Sequence, residues 1–255
     1  MLSGLSYTSF IATVATLLFT LHSFIIINNG KIKTASFRYG VLLLQVFNVI
    51  FLLLLIVNAF ANDKLIGAFG SFFGGLLVFG IVLVDSEVLK LFNVLNPRIS
   101  NSGILVLRIV QIVLYVGLCF VWTVLNIVFV DKSSLPEWLR MTISLCPLGY
   151  IPVQVLYDTL QNIYLIQLVM STIQRKQKET VTTALSATIR QTIFIVSLDF
   201  VGLALFTLQK FTSDPTEIYY QFSCVILAFH VTCMIYMYLG LVQLKQSEWK
   251  GTQDI

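Results

Sequence analysis

The sequence predicts an all-α integral membrane protein: a bundle of seven transmembrane helices, with the amino terminus outside and the carboxyl terminus in the cytoplasm. Three observations predict it. Of 255 residues, 57% are hydrophobic and only 11% charged, with a mean hydropathy of +0.89, whereas a soluble domain carries about 25% charged residues. The apolar residues come in long uncharged runs rather than short alternating ones. The basic residues gather in every second connection between those runs. So few charges cannot cover a soluble fold of this size, which excludes a soluble enzyme and a nucleic-acid-binding domain, and the apolar content excludes a disordered chain. The net charge of +4 is no nucleic-acid signal, because it is dispersed between apolar runs.

A helix needs roughly 20 apolar residues to cross the hydrocarbon core. Seven segments qualify, at 8–29, 39–61, 65–84, 105–130, 145–171, 191–209 and 217–243. Charges bound four of them: Arg38 and Asp63 the second, Lys64 and Asp85 the third, Arg108 and Asp131 the fourth, Glu217 and Lys245 the seventh. The runs are continuous and about twice the length of a barrel strand, so a transmembrane β-barrel is excluded and helix remains, because lipid offers backbone amides no partner. The first segment has no Lys or Arg before residue 31 and is long for a signal peptide, so it is read as a retained helix. No internal repeat or low-complexity linker divides the chain, which is read as one domain over 1–255.

Orientation follows from lysine and arginine in short loops. One side collects Lys31, Lys33, Arg38, Lys90, Arg98, Arg108, Arg175, Lys176, Lys178, Arg190, Lys245 and Lys250, and the other only Lys64, Lys132, Arg140 and Lys210. The basic side is the cytoplasmic one. The sequence does not distinguish plasma membrane from endomembrane. Its largest connection, 172–190, holds Arg175, Lys176 and Lys178, which suit anionic inner-leaflet lipid or a cytoplasmic partner. The outer loops are short, so a ligand has to be small or approach through the membrane. Cys119, Cys146, Cys224 and Cys233 match no metal spacing and are read as free thiols, with a Cys146–Cys224 bond as the alternative.

Ionisable residues inside membrane helices are costly and mark functional sites. Asp158, Asp199 and His230 lie midway along three consecutive segments, at one depth. Tyr150, Gln154, Tyr157, Asp158 and Gln161 recur at intervals of three and four, a polar stripe that must face the bundle interior. Thr192, Asp199 and Gly202 share a side of the sixth segment, and Tyr219, Ser223 and His230 a side of the seventh. These residues are expected to line an inward cavity for a ligand, an ion or protons, extended by His22 and Asn48, with Pro147 and Pro152 opening its outer half. The bland alternative is an interhelical packing network. Gly67, Gly70, Ser71, Gly74 and Gly75 form a small-residue stripe that predicts a central, closely packed third helix, with a homodimer face as the alternative.

The topology resembles seven-helix receptors in outline, but the motif sets of known families are not met. The third segment ends Asp85-Ser86-Glu87 rather than Asp-Arg-Tyr, the seventh lacks Asn-Pro-x-x-Tyr, and the sixth has no proline. Lys245 is the first lysine after the seventh segment begins, so the mid-helix Schiff base of microbial rhodopsins has no residue to form it. Seven-helix sugar transporters carry prolines in four helices, against one here. Seven-helix zinc hydrolases need three histidines, and only His22 and His230 exist. The expectation is a receptor-like sensor of a small or lipophilic ligand held within the bundle, with no enzymatic activity, cofactor or metal. A transporter or proton-coupled channel using Asp158, Asp199 and His230 is the first alternative, and a trafficking or scaffolding protein the second.

Overall fold

A computed structural model describes residues 4–28, 38–61, 63–95, 101–114, 121–128, 135–175, 179–212 and 218–253. These residues form helices and no strand: α1 (Gly4–Asn28), α2 (Arg38–Ala61), α3 (Lys64–Leu95), α4 (Asn101–Leu114), α5 (Val121–Val128), α6 (Glu137–Arg175), α7 (Glu179–Phe211) and α8 (Ile218–Gln253). Among the described residues, five helices are long and apolar enough to cross a membrane: α1, α2, α3, α7 and α8. The chain is a multi-pass, all-helical membrane protein.

Helix α1 shows the bilayer's signature most plainly. Ser9, Thr13, Thr16, Thr20 and Ser23, spaced four, three, four and three apart, are all buried, while Ile11 (65% exposed), Leu18 (63%) and Ile25 (57%) face outward. A soluble helix does the reverse. The inward threonines avoid a desolvation cost by donating to the preceding turn: Thr13 to Ser9, Thr16 to Ala12 and Thr20 to Thr16, all at 2.8–2.9 Å.

The expected third segment, 65–84, is only the first part of α3, which continues to Leu95. Asp85, Ser86 and Glu87 do not end it, because all three are buried and Val88 and Leu89 carry the apolar face onward. Asp85 is thus interior rather than a boundary charge. The expected fourth segment, 105–130, falls on α4 and α5, with 115–120 outside the described residues. The fifth, 145–171, lies within the 39-residue α6, which runs through Pro147 and Pro152. The sixth begins earlier than 191, since α7 starts at Glu179. The 172–190 connection is therefore mostly helix. Lys176 and Lys178 lie outside the described residues, as does the side chain of Arg175.

The centre of the bundle is α8 rather than α3: 67% of its span is buried, against 39% for α3 and 17% for α7. It packs against α1, α2, α3 and α7, while α6 lies against α7 and α3. Ala228, Val231, Thr232 and Ile235 are fully buried. In the small-residue stripe, a side chain at Gly74 would meet Phe51 at 3.2 Å, one at Gly67 would meet Asn58 at 3.8 Å, and one at Gly70 would meet open space. The tightest approach falls at Gly80, where a Cβ would lie 2.0 Å from Leu44. That contact, outside the stripe, is where α2 and α3 come closest to needing glycine.

Candidate functional site

Two polar side chains, Asp199 on α7 and His230 on α8, meet because their helices are in contact. His230 Nδ1 lies 2.6 Å from Asp199 Oδ1, with both side chains almost wholly buried. The other ring nitrogen, Nε2, is 2.9 Å from Met234 Sδ one turn along α8. A thioether only accepts, so this contact is a hydrogen bond in the tautomer with hydrogen on Nε2. In that tautomer the Asp199–His230 bond holds a single proton, and the pair is neutral as a unit. That neutrality is what lets it lie inside a membrane-spanning bundle. Asp199 Oδ2 has no hydrogen-bond partner among the described residues.

Above this pair is a cavity of about 180 Å³ bounded by α2, α3, α6, α7 and α8. Ser71, Gly74 and Gly75 form its α3 wall, Ile151 and Val155 its α6 wall, Gly202 and Phe206 its α7 wall, and Tyr220, Ser223 and Leu227 its α8 wall. Small residues on α3 and α7 create the space, since a side chain there would occupy it. Its lining is apolar except for Ser71, Tyr220 and Ser223 along the walls and Asp199 and His230 at the floor.

Of the residues expected at the site, the structure brings Asp199, His230 and Ser223 to this cavity. Asp158 is buried on α6 and lies within electrostatic reach of His230 and Tyr157 without being part of the lining. Tyr157 is half-buried, and its hydroxyl has no hydrogen-bond partner among the described residues. Gln161 is half-buried and outside the lining. The side chain of Gln154 is outside the described residues. On α8 it is Tyr220, not Tyr219, that lines the cavity. Cys224, also in the lining, and Cys233 form no disulfide among the described residues.

Asp85 was not expected here. It is 4% exposed, its Oδ2 has no hydrogen-bond partner among the described residues, and it lies within electrostatic reach of both Asp158 and Asp199. Its neighbours Val84 and Val88, both buried apolar residues, were the available signal that the helix continues. Among the described residues, no group of three or more His, Cys, Asp or Glu side chains is gathered to hold a metal ion.

His22 and Asn48 belong elsewhere. Asn48 donates to Ala228 O and to Thr232 Oγ1, both at 3.0 Å, and Thr20 Oγ1 is 2.9 Å from Thr232 Oγ1. Gln45 donates to Ser23. His22 Nδ1 pairs with the Tyr236 hydroxyl at 2.7 Å on the outer surface. Thr232 is two residues from His230, roughly 200° around the helix, so this seam of α1, α2 and α8 lies behind the cavity. No family model, curated protein or solved structure matches the chain.

Proposed function

We propose that the protein is a seven-span, receptor-like membrane sensor that takes a small, lipophilic ligand into the cavity above Asp199 and His230. It binds that ligand rather than transforming it. One observation carries the reading: an apolar recess of about 180 Å³ inside the bundle, floored by a buried acid–histidine pair. An engineered apolar cavity of about 150 Å³ accepts benzene, so a compact aromatic molecule fits here. In this reading the two further crossings are the 105–130 segment and α6, whose 39 residues reach about 58 Å at the helical rise. Twelve of the 16 basic residues then face the cytoplasm, the amino terminus is outside, and the cavity lies in the outer half. An amino-terminal epitope reached by antibody only after permeabilisation would reverse that orientation. The basic residues Arg175, Lys176 and Lys178 are the cytoplasmic surface for a partner or for anionic lipid.

The test uses purified protein in nanodiscs with three isosteric probes: propylbenzene, 2-phenylethanol and 2-phenylethylamine. At least one should bind and raise the unfolding temperature. Gly202→Leu projects a side chain into the cavity and should abolish the effect while leaving the protein folded. Equal responses from wild type and variant would place binding elsewhere and overturn the reading.

A second reading, proton-coupled transport, is favoured by Asp85 and Asp158, two further buried acids within electrostatic reach of the pair. It requires proton or solute flux in liposomes holding only this protein, and loss of flux in Asp158→Asn. Stimulus-dependent capture of a cytoplasmic partner without flux decides for the sensor.

A further inference from the structure

We infer that the cavity's ligand is a compact amine: an apolar body of small-aromatic size bearing one ammonium group, which Asp199 holds in place of the proton it shares with His230. This rests on the ligand-binding reading above and adds the chemical class. The hydrogens on the polar wall point away from the cavity. Ser71 Oγ donates to its own helix at Gly67 O, 3.1 Å away, and Ser223 Oγ donates to Tyr220 O at 2.7 Å. The Tyr220 hydroxyl is 3.5 Å from Ser71 Oγ, whose hydrogen is already used, so the phenol is the donor of that contact. His230 directs Nε2–H at Met234, and its other nitrogen faces Asp199. Every hydrogen on these five side chains is spent on the protein. Cys224, also in the lining, adds only a thiol, a weak donor, and the lining's polar atom without a hydrogen-bond partner among the described residues is the Asp199 carboxylate oxygen Oδ2.

Such a wall rejects an anion, which would meet a carboxylate and at most a weak thiol donor to offset its desolvation. A hydrocarbon fills the space but leaves the wall unused, and an alcohol uses a single hydrogen bond. An ammonium group donates up to three hydrogen bonds and finds its counter-charge in Asp199. Charge balance then dictates the exchange. The resting pair is neutral, so a cation seated on the Asp199 carboxylate leaves one positive charge too many in an apolar site. Release of the shared proton, leaving His230 neutral, restores the balance: one ammonium enters and one proton leaves to solvent. Among the described residues, the other ionisable side chains near the pair are Asp85 on α3 and Asp158 on α6, with Tyr220 and Cys224 in the lining. None of them is cationic, so none opposes the incoming charge.

The experiment ranks isosteres on the wild-type protein in nanodiscs, so it needs no variant to fold. 2-Phenylethylamine should bind more tightly than 2-phenylethanol and propylbenzene by roughly ten- to a hundred-fold, the worth of a charged hydrogen bond. 3-Phenylpropanoate should bind weakest. Asp199→Asn should lower the amine to the level of the alcohol and leave propylbenzene unchanged. In weakly buffered solution, the wild type should release a proton on binding the amine but not the hydrocarbon. If the three neutral or cationic probes bind equally, or the carboxylate binds best, the class is wrong while the ligand-binding cavity stands. If none binds, or Gly202→Leu changes nothing, both readings fall.

Discussion

Two polar regions flank α8, and they treat their polar atoms differently. Behind it, the seam of Thr20, Gln45, Asn48 and Thr232 is closed: each amide donates into the neighbouring helices, and what remains unpaired is an uncharged amide oxygen on Gln45 and on Asn48. In front, the unpaired atoms are a carboxylate oxygen on Asp199, which lines a cavity, and another on Asp85 and the Tyr157 hydroxyl, both outside that lining. Neutral interhelical hydrogen bonds hold a bundle together, worth about 0.6 kcal/mol each on average. A buried carboxylate beside a cavity costs more than packing requires. The lesson is that polarity inside a membrane bundle divides by what is left unpaired: the first region is adhesive and the second is a site.

The largest expected effect separates them by charge. His230→Leu strips Asp199 of its partner, and removing one member of a buried pair costs about 3–5 kcal/mol. Replacing both, Asp199→Leu with His230→Leu, should recover most of that loss, because the unpaired charge is then gone. Thermal unfolding in micelles measures both variants. A single variant as stable as wild type would show that the pair carries no buried charge or shared proton.

A smaller effect is expected in the seam. Asn48→Ala removes two hydrogen bonds of 3.0 Å and a longer one of 3.5 Å to Thr20, which should cost about 1–2 kcal/mol at the interhelical rate. Ligand affinity in the cavity should not change, since α8 stands between the two regions. A variant that keeps its stability but loses affinity would merge the seam with the site and end the distinction.

That distinction was half legible in the sequence. Asp199, His230 and Ser223 were readable as one group because helical spacing places them on inward faces, and antiparallel neighbours at equal depth meet. Asn48 and His22 were read into the same group because depth along a helix is visible in sequence while direction around a central helix is not. Only the packing of α8 against four neighbours shows that His230 and Thr232 look opposite ways. Asp85 was hidden for another reason. A charge at the end of an apolar run marks a boundary on average, and burial of Val84, Val88 and Leu89 overrides the average here. Run length placed a helix at 145–171 but not its full extent, since α6 runs for 39 residues, from Glu137 to Arg175. The hydroxyl face of α1, by contrast, was present in the four-and-three spacing of Ser9, Thr13, Thr16, Thr20 and Ser23. It goes unread by any rule that expects the inward face to be apolar.

The smallest expected effect lies at the rim of the seam, where His22 and Tyr236 pair on the outside of α1 and α8. The Tyr236 ring stacks on Phe19 with centroids 4.8 Å apart and planes 24° apart, and His22 lies 6.3 Å from the same ring. Tyr236→Phe keeps the stack and removes only the 2.7 Å hydrogen bond to His22 Nδ1. His22 is exposed, so its nitrogen can be satisfied by water or a lipid headgroup when the tyrosine hydroxyl is gone. The loss should therefore stay near or below about 0.6 kcal/mol, the average for one interhelical hydrogen bond, whereas the buried amide of Asn48 has no such replacement. Unfolding of the variant in micelles and in nanodiscs gives the comparison. A loss above about 1.5 kcal/mol would mean that His22 and Tyr236 are shielded from both water and headgroups. The rim would then belong to the closed seam, and polar contacts at the bundle's surface would hold it together as strongly as those at its centre.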